Sequence, residues 1–278
     1  MNGIGYKVKK GILYILLILL GVTCLLPFLL MMVNATRSGA EIVTSFTLIP
    51  STHIKENWKT ITSYFNLFKG MWNSVKVAVP ATLLSIYFSA LTAYGLARYK
   101  FKGNKVIFMT ILIFMMIPGQ LGLIGFYNLC AKLHLVNSYV PLIIPVIASP
   151  GTVFFLKQYV ESVLPPSLIE AARIDGAGEL YSFHRIVIPI MSPGLATMGI
   201  MGFIGSWNNY LLPMIILNKN DKFTLPVMMA SLNASTDITA NQGAIYLAVA
   251  ISVIPILLVF AFFSKYIISS ISAGAVKE

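Results

Sequence analysis

The sequence predicts an all-α polytopic membrane protein with six transmembrane helices. Of its 278 residues, 57% are hydrophobic and only 10% are charged. A soluble domain carries about a quarter charged residues, so there are too few charges here to cover a water-facing surface. The apolar residues gather into long runs, each near the roughly 20 residues that cross the hydrocarbon at about 1.5 Å per residue. These runs alternate too little for barrel strands, and lipid offers no partner to an unpaired backbone group, so each run is expected to be a helix.

The first run, residues 11–33, follows Lys7, Lys9 and Lys10. It is longer than the roughly 7–15-residue core of a signal peptide and no small-x-small cleavage site follows, so it is expected to remain as an uncleaved span. The remaining spans are expected at 71–96, 106–126, 139–157, 194–217 and 242–268. Prolines 27, 80, 118, 141, 145, 150, 213 and 255 fall within or at the ends of these spans. Each removes a backbone donor and bends a helix. The organisation this predicts has three parts: residues 1–70 (tail, first span and outer loop), 71–268 (five further spans, with a polar loop at 158–193) and a tail at 269–278.

Basic residues set the orientation. The N-terminal tail and the short loop 97–105, with Arg98, Lys100, Lys102 and Lys105, fall on one side, whereas loop 127–138 carries only Lys132. The positive-inside rule therefore places both termini and segment 158–193 in the cytoplasm. The net charge of +11 has the same origin, and no basic stripe with interleaved aromatics points to nucleic acid. Cys24 and Cys130 lie in different elements, and His53, His134 and His184 are scattered, so neither a disulfide framework nor a metal site is expected.

No Asp, Glu, Arg or His lies in the middle of a span, which weighs against a proton- or ion-coupled carrier. The candidates for lining a pathway are neutral: Gln120, Trp207, Asn208, Asn209 and Tyr210, with Asn73 at the start of the second span. They suit a hydroxyl-rich neutral solute, or they hold helices together by hydrogen bonds. There is no G-x-x-x-x-G-K-[ST] phosphate loop and no nucleophile–base arrangement. An enzyme is not expected, and uphill transport would need a partner to supply the work. A stand-alone carrier or channel for a neutral solute remains open, as does a membrane anchor for a partner complex.

Segment 158–193 differs from the rest of the chain. Pro165-Pro166-Ser167 should end what precedes it, and a short helix over roughly Leu168 to Ile174 should follow, with Ser167 and Glu170 at the spacing of a capping box. Ala171 and Ala172 favour helix and are small, and Asp175-Gly176 signals its end. A second short helical run through Tyr181, Phe183 and Ile186 should close at Pro189 and Pro193, before the fifth span. An interfacial helix resting on lipid is usually rich in Lys and Arg. Here Glu161, Glu170, Asp175 and Glu179 face Lys157, Arg173 and Arg185, a balance that favours a protein partner over lipid headgroups.

Glu170-Ala171-Ala172, Gly176, and then Ile186-Val187-Ile188-Pro189 after nine residues resemble the EAA loop of ABC importer permeases, EAA-x3-G-x9-I-x-L-P, with Ile188 in place of Leu. Asp175 before the glycine is similar to the carbohydrate-uptake branch. So are Asn73-Ser74, Ala93-Tyr94-Gly95-Leu96-Ala97-Arg98, Trp207-Asn208-Asn209-Tyr210 and the tail Ala273-Gly274-Ala275-Val276-Lys277, while the final Glu278 departs from a more usual glycine. The chain thus resembles the MalG-type permeases of binding-protein-dependent sugar transport.

That resemblance implies a type I ABC importer permease fold in the bacterial cytoplasmic membrane and import of a di- or oligosaccharide. The implied partners are a second permease subunit, two copies of an ABC ATPase holding ATP and Mg, and an extracytoplasmic sugar-binding protein. The helix with Glu170, Ala171, Ala172, Arg173, Asp175 and Gly176 is implied to fit a cleft on the ATPase. The loop 218–241 is implied to meet the binding protein, and the tail after Ser272 to reach between the ATPases.

Overall fold

The computed structural model describes residues 4–233 and 242–275. Among them every regular element is helical. In order these are α1 (Ile4–Asn34), α2 (Gly39–Thr44), α3 (Ile54–Tyr64), α4 (Leu67–Arg98), α5 (Asn104–Met116), α6 (Leu123–Lys132), α7 (Val140–Ile143), α8 (Pro150–Val163), α9 (Pro166–Ile174), α10 (Glu179–Ser182), α11 (Ile188–Trp207), α12 (Leu211–Ile216), α13 (Leu225–Asn233) and α14 (Gln242–Ala275). Among the described residues, five stretches are long and apolar enough to cross a membrane: Lys9–Asn34, Leu67–Arg98, Val140–Val163, Glu179–Trp207 and Gln242–Ser264. A sixth is reached if the pair Asn104–Met116 and Gly119–Lys132, bent by 87°, counts as one span.

Two of the expected spans come out differently. The third, expected unbroken over 106–126, stops at Met116. Ile117 is extended at φ −78°, ψ 122°, as a residue before proline prefers. Pro118 has no N–H to continue the ladder, and the chain turns through Gly119–Gly122 before α6 starts. The fifth, expected at 194–217, runs from Glu179 to Trp207. Pro189 does not end the preceding helix, because Phe183–Val187 form a π turn in which the Ile188 N–H bonds to the Phe183 carbonyl. The wider turn absorbs the donor that Pro189 lacks and relieves its ring from the carbonyl four residues back. The second helical run of the polar segment is therefore the base of the fifth span, not a separate surface helix.

The described residues cluster into two compact units, one of Met1–Leu67 with Met228–Ile254, the other of Phe68–Val227 with the residues from Pro255 on. In the first unit, the segment after α1 folds around a buried cation. Arg37 is 3% exposed and donates to the carbonyls of Glu41 (2.6 Å) and Ser45 (2.9 Å), the Ser45 hydroxyl (2.7 Å) and Asn34 Oδ1 (3.2 Å). Ser38 and Glu41 close a capping box on α2. Its Ser38 N–H, aided by the Ser51 hydroxyl and His53, holds the Glu41 carboxyl below the usual carboxylate range. Buried Asn57 donates to the Ala35 and Arg37 carbonyls at 2.9 and 3.0 Å. Gly243, at the start of α14, packs against that knot so closely that a Cβ would lie 2.0 Å from the Arg37 carbonyl oxygen.

In the second unit the polar segment is built onto a core of Ala90, Ala93 and Tyr94 from α4, Leu156, Val160 and Leu164 from α8 and its end, Ile169 from α9, and Phe183, Val187 and Met191. Gly194 admits the Tyr159 ring of α8, which would lie 2.6 Å from a Cβ at that position. The opposite end of the unit is tied by Asn73, whose amide donates to the Asp221 and Phe223 carbonyls at 3.0 Å each. Ser74 accepts the Leu225 N–H at 2.8 Å. These bonds assign Asn73 to holding the 221–225 loop.

Candidate functional site

The polar segment narrows to α9 and the turn that follows it. Its helix starts two residues earlier than the capping-box spacing suggests. Pro165 is the N-cap residue and Pro166 occupies the first turn, while Ser167 lies inside the helix and no side chain caps its start. Proline at the first helical position brings a fixed φ and costs no hydrogen bond there, so the Ser167–Glu170 box is not used. The far end matches expectation in detail. Gly176 has φ +80°, its N–H bonds to the Arg173 carbonyl at 3.0 Å, and the Ala177 N–H bonds to the Ala172 carbonyl at 2.9 Å. That pair of bonds is a Schellman motif, which requires a left-handed residue where glycine is favoured.

The helix presents two faces. Ile169 and Ala172, three residues apart, are buried at 3% and 7% exposure in the chain's own core. Glu170, Ala171, Arg173, Ile174, Asp175 and Gly176 are exposed, Ile174 at 86%. Among the described residues, neither Glu170 nor Asp175 forms an ion pair. The outcome is a short acidic ridge with an exposed isoleucine and a glycine notch, fixed from below by two apolar side chains.

Three residues that sequence reasoning did not single out for this site support it. Arg98, at the end of α4, donates from Nη2 to the Val160 carbonyl at 2.8 Å and to the Leu164 carbonyl. It therefore closes the C-terminus of α8, where a cation is favoured, one residue before the Pro165 cap of α9. Glu179 and Tyr99 meet Arg173. The Arg173 Nε donates to Glu179 Oε1 at 2.7 Å, Tyr99 donates its hydroxyl to Glu179 Oε2, and the guanidinium lies 5.2 Å over the Tyr99 ring. Burial, and then the bond to Glu179, push the Tyr99 phenol well above its ordinary range, so it remains a donor. Hydrogen bonds to Glu179 and Tyr99 push the Arg173 guanidinium up as well. The sequence signals that pointed here were the matched string ending Leu96-Ala97-Arg98 and the place of Glu179 among the acidic residues of segment 158–193.

The proposed pathway residues are dispersed. Trp207 is 2% exposed and stacks on Phe203 with centroids 5.5 Å apart. Asn208, Asn209 and Tyr210 are exposed at the break between α11 and α12, and Gln120 is exposed at the bend between α5 and α6. Asn209 lines a cavity of about 240 Å³ together with Ser74, Ser206 and Thr224 among prolines and aliphatic side chains. The Thr224 hydroxyl there is buried and has no partner among the described residues. Trp207, Asn208, Tyr210 and Gln120 are not among the walls of this cavity. Residues 234–241 of the outer loop, and residues 276–278 of the tail implied to reach between ATPases, lie outside the described residues.

Comparison with known proteins gives a consistent picture. Residues 81–273 match the family described as binding-protein-dependent transport system inner membrane component. The chain is 37% identical, over 90% of its length and 90% of the relative's, to an arabinooligosaccharides transport system permease protein of Halalkalibacterium halodurans. It is 34% identical to a diacetylchitobiose uptake system permease protein of Streptomyces coelicolor, over 95% of this chain and 88% of that one. Its fold is similar to a chain from the crystal structure of a bacterial ABC transporter involved in the import of the acidic polysaccharide alginate. The TM-score is 0.81 at 21% identity, covering 96% of this chain and 99% of the other.

Proposed function

The chain belongs to the family of binding-protein-dependent transport system inner membrane components, and from that premise we propose that it is the permease subunit of an ATP-driven importer of a di- or oligosaccharide. The observation that carries the reading is the acidic ridge of α9, exposed outward and anchored inward on the core shared by α4, α8 and α11. A chain with no phosphate loop needs such a place for an engine to act. The relatives named for arabinooligosaccharides and diacetylchitobiose support the sugar class, as do the neutral polar groups around Asn209.

In this reading the ridge faces the cytoplasm, as do both termini. Two ABC ATPases, holding ATP and Mg, lie below this chain and a second permease subunit, with which it forms a heterodimer. An extracytoplasmic binding protein delivers the sugar. Glu170, Ala171, Asp175 and Gly176 face the ATPase, while Ala172 and Arg173 support them from the chain's own side. ATPase closure pushes α9, and the long helices packed on it tilt between inward- and outward-facing states.

Glu170→Lys and Gly176→Trp are expected to leave membrane insertion intact and to lose most co-purification of the ATPase. A stand-alone carrier would instead take up oligosaccharide in liposomes without ATPase or ATP. That result, or full retention of the ATPase by both variants, would overturn the reading.

A further inference from the structure

Two apolar side chains on one helical face locate α9 but do not fix its angle. Ile169 and Ala172 seat one face of α9, and the turn after it, residues 175–178, includes two glycines. The cluster of Tyr99, Arg173 and Glu179 lies at that end and draws on three elements. Arg173 is in the last turn of α9, Glu179 is the first residue of α10, and Tyr99 follows α4. Both oxygens of Glu179 are taken within the chain, one by Arg173 and one by Tyr99. The Tyr99 ring meets Tyr94 edge-on at 5.5 Å, and Tyr94 stacks on Phe183 at 5.8 Å, so the polar cluster continues into the core beneath.

Resting on the reading that α9 receives the ATPase, we propose that Tyr99, Arg173 and Glu179 form a strap that fixes the angle of α9 against the second and fifth spans. Arg173 and Glu179 are thereby positioning residues for force transfer, not contacts of the ATPase. The geometry favours this role over ATPase recognition. The guanidinium is held by a carboxylate on one side and a ring on another, and the carboxylate is gripped by two donors, so the group has strong directional preference. The strap bridges the glycine-containing turn between α9 and α10, through which a push on α9 passes to the fifth span. The elevated Tyr99 phenol keeps its donor across the physiological pH range.

The test uses the complete transporter in nanodiscs. Spin labels at Ser167→Cys and Lys102→Cys, in a Cys24→Ala, Cys130→Ala background, report the angle of α9 as a distance distribution. A separate Ser206→Cys reporter is labelled with maleimide before and after trapping with ATP and orthovanadate. Glu179→Ala and Tyr99→Phe are expected to keep the ATPase bound and to broaden the distance distribution. They should also shrink the vanadate-induced change in labelling about two- to fivefold, the range an exposed ion pair can bias. Arg173→Glu combined with Glu179→Arg should recover most of both.

Unchanged distance widths in Glu179→Ala and Tyr99→Phe would overturn the strap. So would an Arg173→Ala variant that loses the ATPase while Glu179→Ala keeps it. Should the strap variants behave as wild type while Gly176→Trp and Glu170→Lys lose the ATPase, the strap alone fails. Retention of the ATPase by those two variants removes the docking reading and the strap with it.

Discussion

A Cβ at Gly243 would meet the Arg37 carbonyl at 2.0 Å and both polar atoms of the Asn57 amide within 2.8 Å. The first neighbour is backbone and cannot swing aside. The second is committed to the Ala35 and Arg37 carbonyls. Gly243→Ala is therefore expected to destabilise the segment after α1 by about 1–3 kcal/mol, the usual range for overpacking. Limited proteolysis of residues 35–64 in proteoliposomes should speed up accordingly, and an unchanged cleavage rate would show that the helix yields without cost. Glu41 adds a pH dependence in the same segment. Its carboxyl is held below the ordinary range in the folded chain, so the stability it contributes is present above the ordinary carboxylate pKa and is lost as pH falls through the lower folded value. Hydrogen exchange at α2 should accelerate on acidification across that window and stay flat above it.

Among elements, the joint between α8 and α9 depends on Arg98. Replacing it with methionine keeps much of the stem but leaves the Leu164 carbonyl without its donor, at about 1–3 kcal/mol for a buried unpaired group. Arg98→Met should raise amide exchange in residues 165–178 by about tenfold, each 1.4 kcal/mol being one decade. The sequence marked Arg98 as one positive charge in a basic loop and as the end of a family-like string, but not as a helix cap, because capping another helix is invisible to a local reading. The Tyr99–Glu179 pairing spans 80 positions and was hidden for the same reason. By contrast the end of α9 was legible, since a Schellman turn is a local device with a glycine at a fixed place. Its start was misjudged because two prolines and a serine offer competing caps, and proline at the first helical position prevails.

For the whole molecule, hydropathy and charge were enough to give the class and the family-like loop, since both are linear patterns that lipid and a short motif impose. The break at Pro118 and the early start of the fifth span were not, because proline acts through its neighbours' geometry. The orientation expected from the basic loops has a direct test. With Cys24 and Cys130 removed, Lys102→Cys and Ser167→Cys should resist an impermeant maleimide in intact cells and react after the membrane is opened. Lys55→Cys should react in both conditions. The reverse pattern would invert the topology and place the acidic ridge out of an ATPase's reach.

The π turn at Phe183–Val187 acts as a phase shifter in the fifth span. One extra residue in a turn displaces everything beyond it by about 100° relative to a regular helix. Phe183 can thus face the core beneath α9 while, farther along the same helix, Gly194 still meets Tyr159. Deleting a single residue from this stretch would restore regular winding and leave Gly194 against that ring, because the residue lost and the phase the wide turn absorbs are the same, about 100°. A deletion in the regular helix between Ile188 and Gly194 would instead swing Gly194 away. The wide turn is therefore the one part of this helix, among the described residues, that can lose a residue without moving the contacts beyond it.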